Sequence, residues 1–168
     1  MAVVSTASDG LRAAARCTLI QLRAPGISAR ALEREARELV TSASIPVLVS
    51  SRCDVALAAR CAGVNLPEND IAVRDARRLL GSRLVGRSVH SIEAAQEAEH
   101  DGADFVIFGP VWPTGSHPSS LPTGVAALEA VARRVGVPVL AIGGMTEERV
   151  QRCLAAGAAG FAAIGMFR

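Results

Sequence analysis

Short apolar runs alternate with helix-forming segments along the whole chain, and this alternation constrains the fold more than any other feature. Eight runs have the length and composition of buried strands, and they span residues 3–4, 19–22, 46–49, 64–66, 84–89, 105–108, 137–142 and 161–164. Parallel strands joined by helices are buried on both faces and read as apolar runs of this kind. Eight such units predict an α/β fold of the TIM (β/α)8 barrel type, with a flavodoxin-like open sheet as the alternative.

Helices are predicted between these runs from apolar spacing and from capping residues. The predicted helices span residues 10–16, 28–41, 55–60, 73–80, 92–100, 125–135 and 147–156. Ser28, Ser91 and Thr146 have the side chains that cap helix N-termini, and Asp70 is a candidate cap for the helix that begins near residue 73. Gly102 and Gly157 follow two of these helices, where glycine ends a helix in the left-handed conformation.

The chain is short for the fold that it predicts. Barrels of this type have roughly 200 to 250 residues, whereas this chain has 168 and ends soon after the eighth predicted strand. We therefore expect a single TIM-barrel domain over residues 1–168 that lacks a clear eighth helix. A last strand without a covering helix also predicts self-association into a homo-oligomer.

Composition excludes several classes of partner. The chain is 50% hydrophobic and 20% charged, its net charge is +2, and only 3% of its residues are aromatic. Without a basic patch or stacking residues, a nucleic-acid partner is not expected. No apolar run approaches the roughly 20 residues of a membrane helix, and no basic leader precedes the first strand. These features predict a cytoplasmic protein with no membrane partner.

Two residue types limit the chemistry that is available. Cys17, Cys53, Cys61 and Cys153 are dispersed without a CxxC pair, which indicates buried free thiols in place of a zinc site. All 18 basic residues are arginine, so the chain contains no lysine. This composition excludes Schiff-base chemistry and any lysine acid, base or phosphate contact.

Two segments end in glycine, proline and threonine directly after predicted strands, at residues 108–115 and 141–146. The carboxyl ends of parallel strands are where α/β folds place their ligands. The pair Gly143-Gly144 allows backbone N–H groups to approach an anion, and Gly165 and Met166 would contribute from the eighth strand. The sequence therefore predicts a phosphorylated small molecule as ligand.

Several segments resemble the thiamine phosphate synthase/TenI superfamily. Residues 85–91, 102–114 and 138–146 carry the resemblance, and residues 20–23 and 63–70 match its weaker motifs in the right order. The resemblance covers nearly the whole chain and implies a barrel that binds thiazole phosphate, the phosphorylated thiazole half of thiamine. The residues that it implies for substrate binding are Gln21, Arg23, Ser88, Thr114 and Ser116.

The synthases of this superfamily join hydroxymethylpyrimidine pyrophosphate to thiazole phosphate with Mg²⁺. This sequence departs from their pattern, because Pro25 and His117 stand where the family has lysines and Ser50-Ser51 where it has an Asn-Asp pair. Asp70 alone remains as a metal ligand. Each lost charged contact to pyrophosphate is worth about 1.5–3 kcal/mol, so these departures argue against ordinary synthase chemistry.

The TenI-type tautomerases move a proton on thiazole carboxylate phosphate, and their base is a histidine directly after the Phe-Gly of the sixth strand. That position is Pro110 here, so a proton transfer needs His90 or His117. We expect a TenI-like tautomerase that requires no cofactor. A divergent thiamine phosphate synthase with Mg²⁺, and a barrel that binds phosphorylated ligands without turnover, are the alternatives.

Overall fold

The computed structural model describes residues 1–115 and 121–167 and contains a parallel sheet closed into a barrel. Its eight strands pair in chain order, β1 with β2 through to β7 with β8. They are β1 Ala2–Val4, β2 Ile20–Leu22, β3 Val47–Ser50, β4 Gly63–Leu66, β5 Leu84–Val89, β6 Phe105–Phe108, β7 Val139–Ile142 and β8 Gly160–Ala162. A parallel bridge between Ala2 and Ala163 brings the last strand back to the first.

Helices follow the first seven strands and cover the outside of the barrel. Within the described residues they are α1 Ala7–Ala13, α2 Ala29–Ser42, α3 Cys53–Ala58, α4 Val73–Leu80, α5 Ile92–His100, α6 Gly124–Ala132 and α7 Glu147–Ala155. Two 3₁₀ turns, Ala14–Arg16 and Gly165–Phe167, complete the order. The (β/α)8 prediction is confirmed, the seven helices of the described residues fit the expected lack of an eighth, and the open-sheet alternative is wrong.

The boundaries differ from the prediction at α1, which spans Ala7–Ala13 where residues 10–16 were predicted, and between α6 and β7. The sequence predicts a helix to residue 135 and a strand from residue 137, whereas α6 ends at Ala132 and β7 begins at Val139. The backbone N–H groups of Gly136 and Val137 donate to Glu99 Oε1 at 2.6 and 3.1 Å. This carboxylate on α5 satisfies the backbone groups that a longer strand would have paired in the sheet.

Alternate residues of the strands face the interior of the barrel, and pairing between neighbours defines the layers that they form. Val3 is opposite Gln21, Ser50 is opposite Asn65, and Ser88 is opposite Ile107. The apolar interior cluster contains Val3, Leu48, Phe105, Ile107 and Ala162. The other face of each strand packs against the helices in a separate and larger core. Polar residues at inward positions must therefore lie in the barrel interior or at its mouth.

Helix ends follow the local sequence with one exception. The side chains of Ser28, Ser91 and Thr146 accept backbone N–H groups at the first turns of α2, α5 and α7, as predicted. Asp70 is not a cap for α4, and that prediction is wrong. The N-cap of α4 is Ala72 without a side-chain hydrogen bond, while Asp70 Oδ1 accepts from the adjacent N–H of Ile71 at 2.8 Å.

The four cysteines are free thiols, as the sequence predicts. Cys53, Cys61 and Cys153 are buried, and Cys17 is partly buried. Burial raises the pKa of the Cys61 thiol to about 11 and also raises the pKa values of Cys53 and Cys153. A thiol with a raised pKa is a weak nucleophile near neutral pH, so these three residues serve packing. No described helix is long and apolar enough to cross a membrane.

Candidate active site at the carboxyl ends of the strands

A cavity of about 860 Å³ occupies the barrel mouth and extends into its interior. Its lining comes from inward strand positions and from the loops that follow the strands. It contains all the predicted phosphate-binding and substrate-binding residues within the described part of the chain, which are Gln21, Arg23, Ser88, Thr114, Gly143, Gly144, Gly165 and Met166. Ser116 and the candidate base His117 lie outside the described residues.

Six polar side chains of the cavity come from four consecutive strands. We call this surface the polar wall, and it consists of Gln21, Arg23, Ser50, Asn65, Ser88 and His90, which lie on or directly after β2 to β5. Gln21 and Asn65 are only 4% and 2% exposed, and they are the buried polar side chains of the described residues. Burial of polar groups at these positions is characteristic of a site that receives a polar ligand.

Asn65 carries an unsatisfied buried atom. Its Nδ2 donates to Ser88 Oγ at 3.0 Å, whereas its Oδ1 has no hydrogen-bond partner among the described residues. A buried amide oxygen without a donor is destabilising by about 1–3 kcal/mol. The polar wall thus contains a buried hydrogen-bond acceptor, Asn65 Oδ1, that no described residue satisfies.

Arg23 supplies positive charge to the polar wall. It follows β2, lines the cavity and is exposed. Its guanidinium makes no hydrogen bond or ion pair with another described residue, unlike Arg52, which binds Asp54, and Arg77, which binds Asp104. Since an unpaired guanidinium binds phosphate in bidentate geometry, Arg23 is suited to a phosphorylated ligand.

His90, the candidate acid or base after β5, is held by a carboxylate that the sequence analysis did not identify. Glu68 Oε1 accepts the backbone N–H of His90 at 3.0 Å, and Glu68 Oε2 lies 2.7 Å from His90 Nδ1. Both residues line the cavity. The pair therefore places an oriented imidazole at the edge of the polar wall.

The opposite side of the cavity is built from backbone. We call it the glycine wall, and it consists of Gly109, Gly143, Gly144, Gly165 and Met166, which follow β6, β7 and β8. Gly143 and Gly144 have φ values of +102° and +60°. A Cβ at Gly143 would lie 2.6 Å from Pro110 Cα, and one at Gly144 would lie 2.5 Å from the Pro113 oxygen. Both positions thus require glycine for conformation and for close packing against the loop after β6.

Arg149 holds the Gly143-Gly144 turn in place. Its Nη1 donates to the Gly144 carbonyl at 2.6 Å, and its guanidinium carbon lies 5.3 Å from the centroid of the Trp112 ring. Arg152 contacts the same ring at 5.6 Å. These cation–π contacts connect α7 to the loop after β6 and fix the glycine turn between them.

The hydrogen-bond donors that the glycine wall offers are the amides of its loop more than those at the start of α7. The first turn of α7 already contains Glu147 and Glu148, and its Thr146 cap accepts the N–H of Arg149. The amides of Gly143 and Gly144 donate no hydrogen bond to another described residue outside the regular helices and strands. They are thus available to an anion in the cavity.

The described residues form no preformed cluster for a resident Mg²⁺, although two carboxylates, Glu68 and Glu147, line the cavity. Among them there is no group of three or more histidine, cysteine or carboxylate side chains able to hold a metal ion. Asp70, the candidate metal ligand, is not part of the cavity lining and its Oδ1 accepts the N–H of Ile71. Ser50 supplies only a neutral hydroxyl to the cavity. Mg²⁺ in proteins is held by one or two carboxylates together with substrate phosphates.

The lining residues that the sequence did not indicate include Arg16, Asn65, Glu68 and Glu147. Asn65 carries a usable signal, because it is a polar residue at an inward position of an otherwise apolar strand. Glu147 directly follows the Thr146 cap and could have been found from its place after β7. Glu68 and Arg16 have no local signal, since their placement depends on how distant parts of the chain meet.

Comparison with known proteins places this cavity in a recognised family. The family model described as thiamine monophosphate synthase matches residues 2–167. A putative thiamine-phosphate synthase of Geobacter sulfurreducens is 41% identical over 167 residues, which cover 96% of this chain and 78% of that protein. The putative thiamine-phosphate synthase 2 of Aquifex aeolicus is 38% identical over 152 residues, covering 89% of this chain and 82% of the relative.

One solved structure agrees with this family. The thiamine phosphate pyrophosphorylase from Pyrococcus furiosus superposes with a TM-score of 0.87 at 29% identity, over 97% of this chain and 84% of that chain. The family match over nearly the whole chain, the relatives' identity and this common fold agree with the motifs found in the sequence. The chain therefore belongs to the thiamine monophosphate synthase family of thiamine biosynthesis.

Proposed function

We propose that the chain is a divergent thiamine-phosphate synthase that joins an activated pyrimidine to thiazole phosphate. The observation that carries the proposal is the division of one open cavity into a glycine wall and a polar wall with an unpaired Arg23. Such a cavity can hold two phosphorylated halves of a product side by side. The names of the relatives support this activity over the tautomerase hypothesis.

The glycine wall is assigned to the phosphate of the thiazole. The amides of Gly143 and Gly144 donate no backbone hydrogen bond to another described residue, and Gly165 and Met166 extend the same surface from β8. A cradle of N–H groups binds phosphate oxygens without lysine, which the chain lacks. The thiazole ring would then lie toward the centre of the barrel mouth.

The polar wall is assigned to the pyrimidine pyrophosphate. Arg23 binds the pyrophosphate, while Gln21 and Asn65 offer hydrogen bonds to the pyrimidine ring. In the reaction the thiazole nitrogen forms a bond to the pyrimidine methylene carbon, and the bond between that carbon and the pyrophosphate oxygen breaks. The chain's contribution is to align these two atoms and to stabilise the departing anion.

Magnesium enters this proposal with the substrate. Since the described residues form no cluster of three or more metal ligands, Mg²⁺ would arrive bound to the pyrophosphate of the substrate and leave with the product. The chain would contribute Arg23, neutral hydrogen-bonding groups such as Ser50, and the carboxylates of Glu68 and Glu147.

Proton transfer on thiazole carboxylate phosphate is the second candidate, and one observation favours it. His90 lines the cavity with its Nδ1 2.7 Å from Glu68 Oε2, an arrangement that suits a general base. Pro110 occupies the position of the tautomerase histidine, so His90 would have to replace that base from a different strand.

The test incubates the purified protein with hydroxymethylpyrimidine pyrophosphate, thiazole phosphate and Mg²⁺, and measures thiamine phosphate and pyrophosphate. We expect both products in equal amounts, with their formation reduced in Arg23→Gln and unchanged in Arg74→Gln, an arginine on α4 outside the cavity. Absence of both products, with proton exchange on thiazole carboxylate phosphate, would replace the synthase by the tautomerase. Binding of the substrates with neither reaction would contradict both.

A further inference from the structure

We infer that Glu68 is a positioning residue that holds His90 in the Nδ1–H form and so presents Nε2 to the ligand as a hydrogen-bond acceptor. The inference deepens the proposed function, on which it rests for the identity of the ligand. It concerns a carboxylate that no sequence motif identified, on a loop that follows β4.

The contact between the two residues has two points. Glu68 Oε1 accepts the backbone N–H of His90 at 3.0 Å, and Oε2 lies 2.7 Å from Nδ1 of the same residue. The first bond fixes the carboxylate relative to the end of β5, so the second oxygen meets the ring in one orientation. Because an ionised carboxylate only accepts hydrogen bonds, Nδ1 must carry the proton. In a neutral ring, Nε2 then carries the lone pair.

The loop that carries Glu68 is itself supported. The N–H of Asp70 donates to the Pro67 carbonyl at 3.1 Å, which closes a turn around Glu68. Arg87 on β5 donates from Nη1 to the Ile71 carbonyl at 2.9 Å, and β4 pairs with β5 through Leu66 and Arg87. These contacts connect the ends of β4 and β5 on both sides of the Glu68–His90 pair.

Among the charged residues that line the cavity, Glu68 is the partner of the His90 ring. The other charged groups that line the cavity are Arg16, Arg23 and Glu147, and none makes an ion pair with Glu68 or His90. The side chains of His90 and Glu68 are 52% and 32% exposed, so the ring has solvent and ligand access. A histidine without such a partner would populate both tautomers.

The acceptor selects a chemical class of ligand. Nε2 of His90 requires a ring substituent that donates a hydrogen bond, or an acidic proton that it can remove. The amino group of the pyrimidine substrate is a donor of the first kind, and the ring of thiazole carboxylate phosphate supplies a proton of the second kind. Asn65 Oδ1, buried and without a partner among the described residues, presents a further acceptor on the same wall.

Nitrogen-15 NMR of the histidine rings tests the inference without any requirement for turnover. At a pH where the ring is neutral, we expect the His90 signals of the Nδ1–H tautomer, assigned by their loss in His90→Asn. In Glu68→Ala, which removes the acceptor, the share of the Nε2–H form should rise, whereas Glu93→Ala, a change on α5 outside the cavity, should leave the spectrum unchanged. A wild-type ring in the Nε2–H form, or no change in Glu68→Ala, would overturn the inference.

Ligand addition identifies the group that meets Nε2. A shift of the Nε2 signal with hydroxymethylpyrimidine, or with thiazole carboxylate phosphate, supports the inference and identifies the donor. No shift with either compound, when calorimetry shows that they bind, overturns it. In turnover, Glu68→Gln should lower kcat roughly 10- to 100-fold with KM within about threefold. A change in KM as large as the change in kcat would contradict a positioning role. If the protein proved inactive while the Nδ1–H form persisted, only the proposed function would fail.

Discussion

The two walls of the cavity recognise ligands by different parts of the chain. The polar wall uses side chains at inward positions of β2 to β5, whereas the glycine wall uses backbone groups in the loops after β6 to β8. The polar wall can change by single substitutions without disturbing the barrel, since Arg23 makes no contact that the fold requires. The glycine wall cannot, because Gly143 and Gly144 also pack closely against the loop after β6. The comparison predicts that specificity varies on one wall and phosphate binding persists on the other.

Gly143→Ala should have the largest effect, on stability. The alanine would have to keep a φ of +102°, and its Cβ would lie 2.6 Å from Pro110 Cα. We therefore expect the free energy of unfolding to fall by about 2–4 kcal/mol. Gly165→Ala is the matched control, because a Cβ there has no neighbour within 4 Å. Urea denaturation of both variants measures the difference. Equal stabilities would show that the turn after β7 is not the packed element described here.

Arg23→Gln should have the next largest effect, on binding alone. Loss of one charged contact to pyrophosphate is worth about 1.5–3 kcal/mol, which corresponds to a 10- to 150-fold weaker Kd. The unfolding free energy should remain within about 0.5 kcal/mol, since Arg23 is exposed and unpaired among the described residues. Calorimetry with inorganic pyrophosphate provides the readout. An unchanged Kd would remove Arg23 from the anion site and leave the polar wall without its positive charge.

Thr146→Ala and Ser91→Ala should have smaller and similar effects. Each removes the side-chain cap of a nine-residue helix, one behind the glycine wall and one behind the polar wall. Each should lower the free energy of unfolding by about 1 kcal/mol. Thr146→Ala should also weaken phosphate binding, since its helix carries the Arg149 that holds Gly144. Thermal denaturation and phosphate titration of both variants separate these effects, and equal phosphate affinities would contradict the asymmetry.

The parts of the fold that depend on local sequence could be predicted. Ser28, Ser91 and Thr146 cap helices because each side chain accepts from a backbone N–H only three residues further along the chain. The alternation of apolar runs and helices was sufficient to identify the barrel. The boundary between α6 and β7 depends on Glu99, which is 37 residues from the Gly136 that it binds. That contact could not be found from local pattern.

The candidate site was predicted where backbone is sufficient and missed where distant residues meet. Gly143 and Gly144 carry their own signal, since two adjacent glycines after a strand indicate a special turn. Glu68 contacts His90 across 22 residues, and only the pairing of β4 with β5 brings them together. Asp70 was predicted as a cap, but the turn at Pro67 places α4 beyond its reach and Ala72 takes the N-cap position.

Binding of thiazole phosphate to Gly165 variants tests the central claim most directly. Asp and Asn differ at this position only in charge, and neither meets a neighbour within 4 Å at Cβ. If the glycine wall binds phosphate, calorimetry should show micromolar binding to the wild type, similar binding to Gly165→Asn, and at least about tenfold weaker binding to Gly165→Asp. Equal affinities of the Asn and Asp variants would place the phosphate elsewhere and contradict the account.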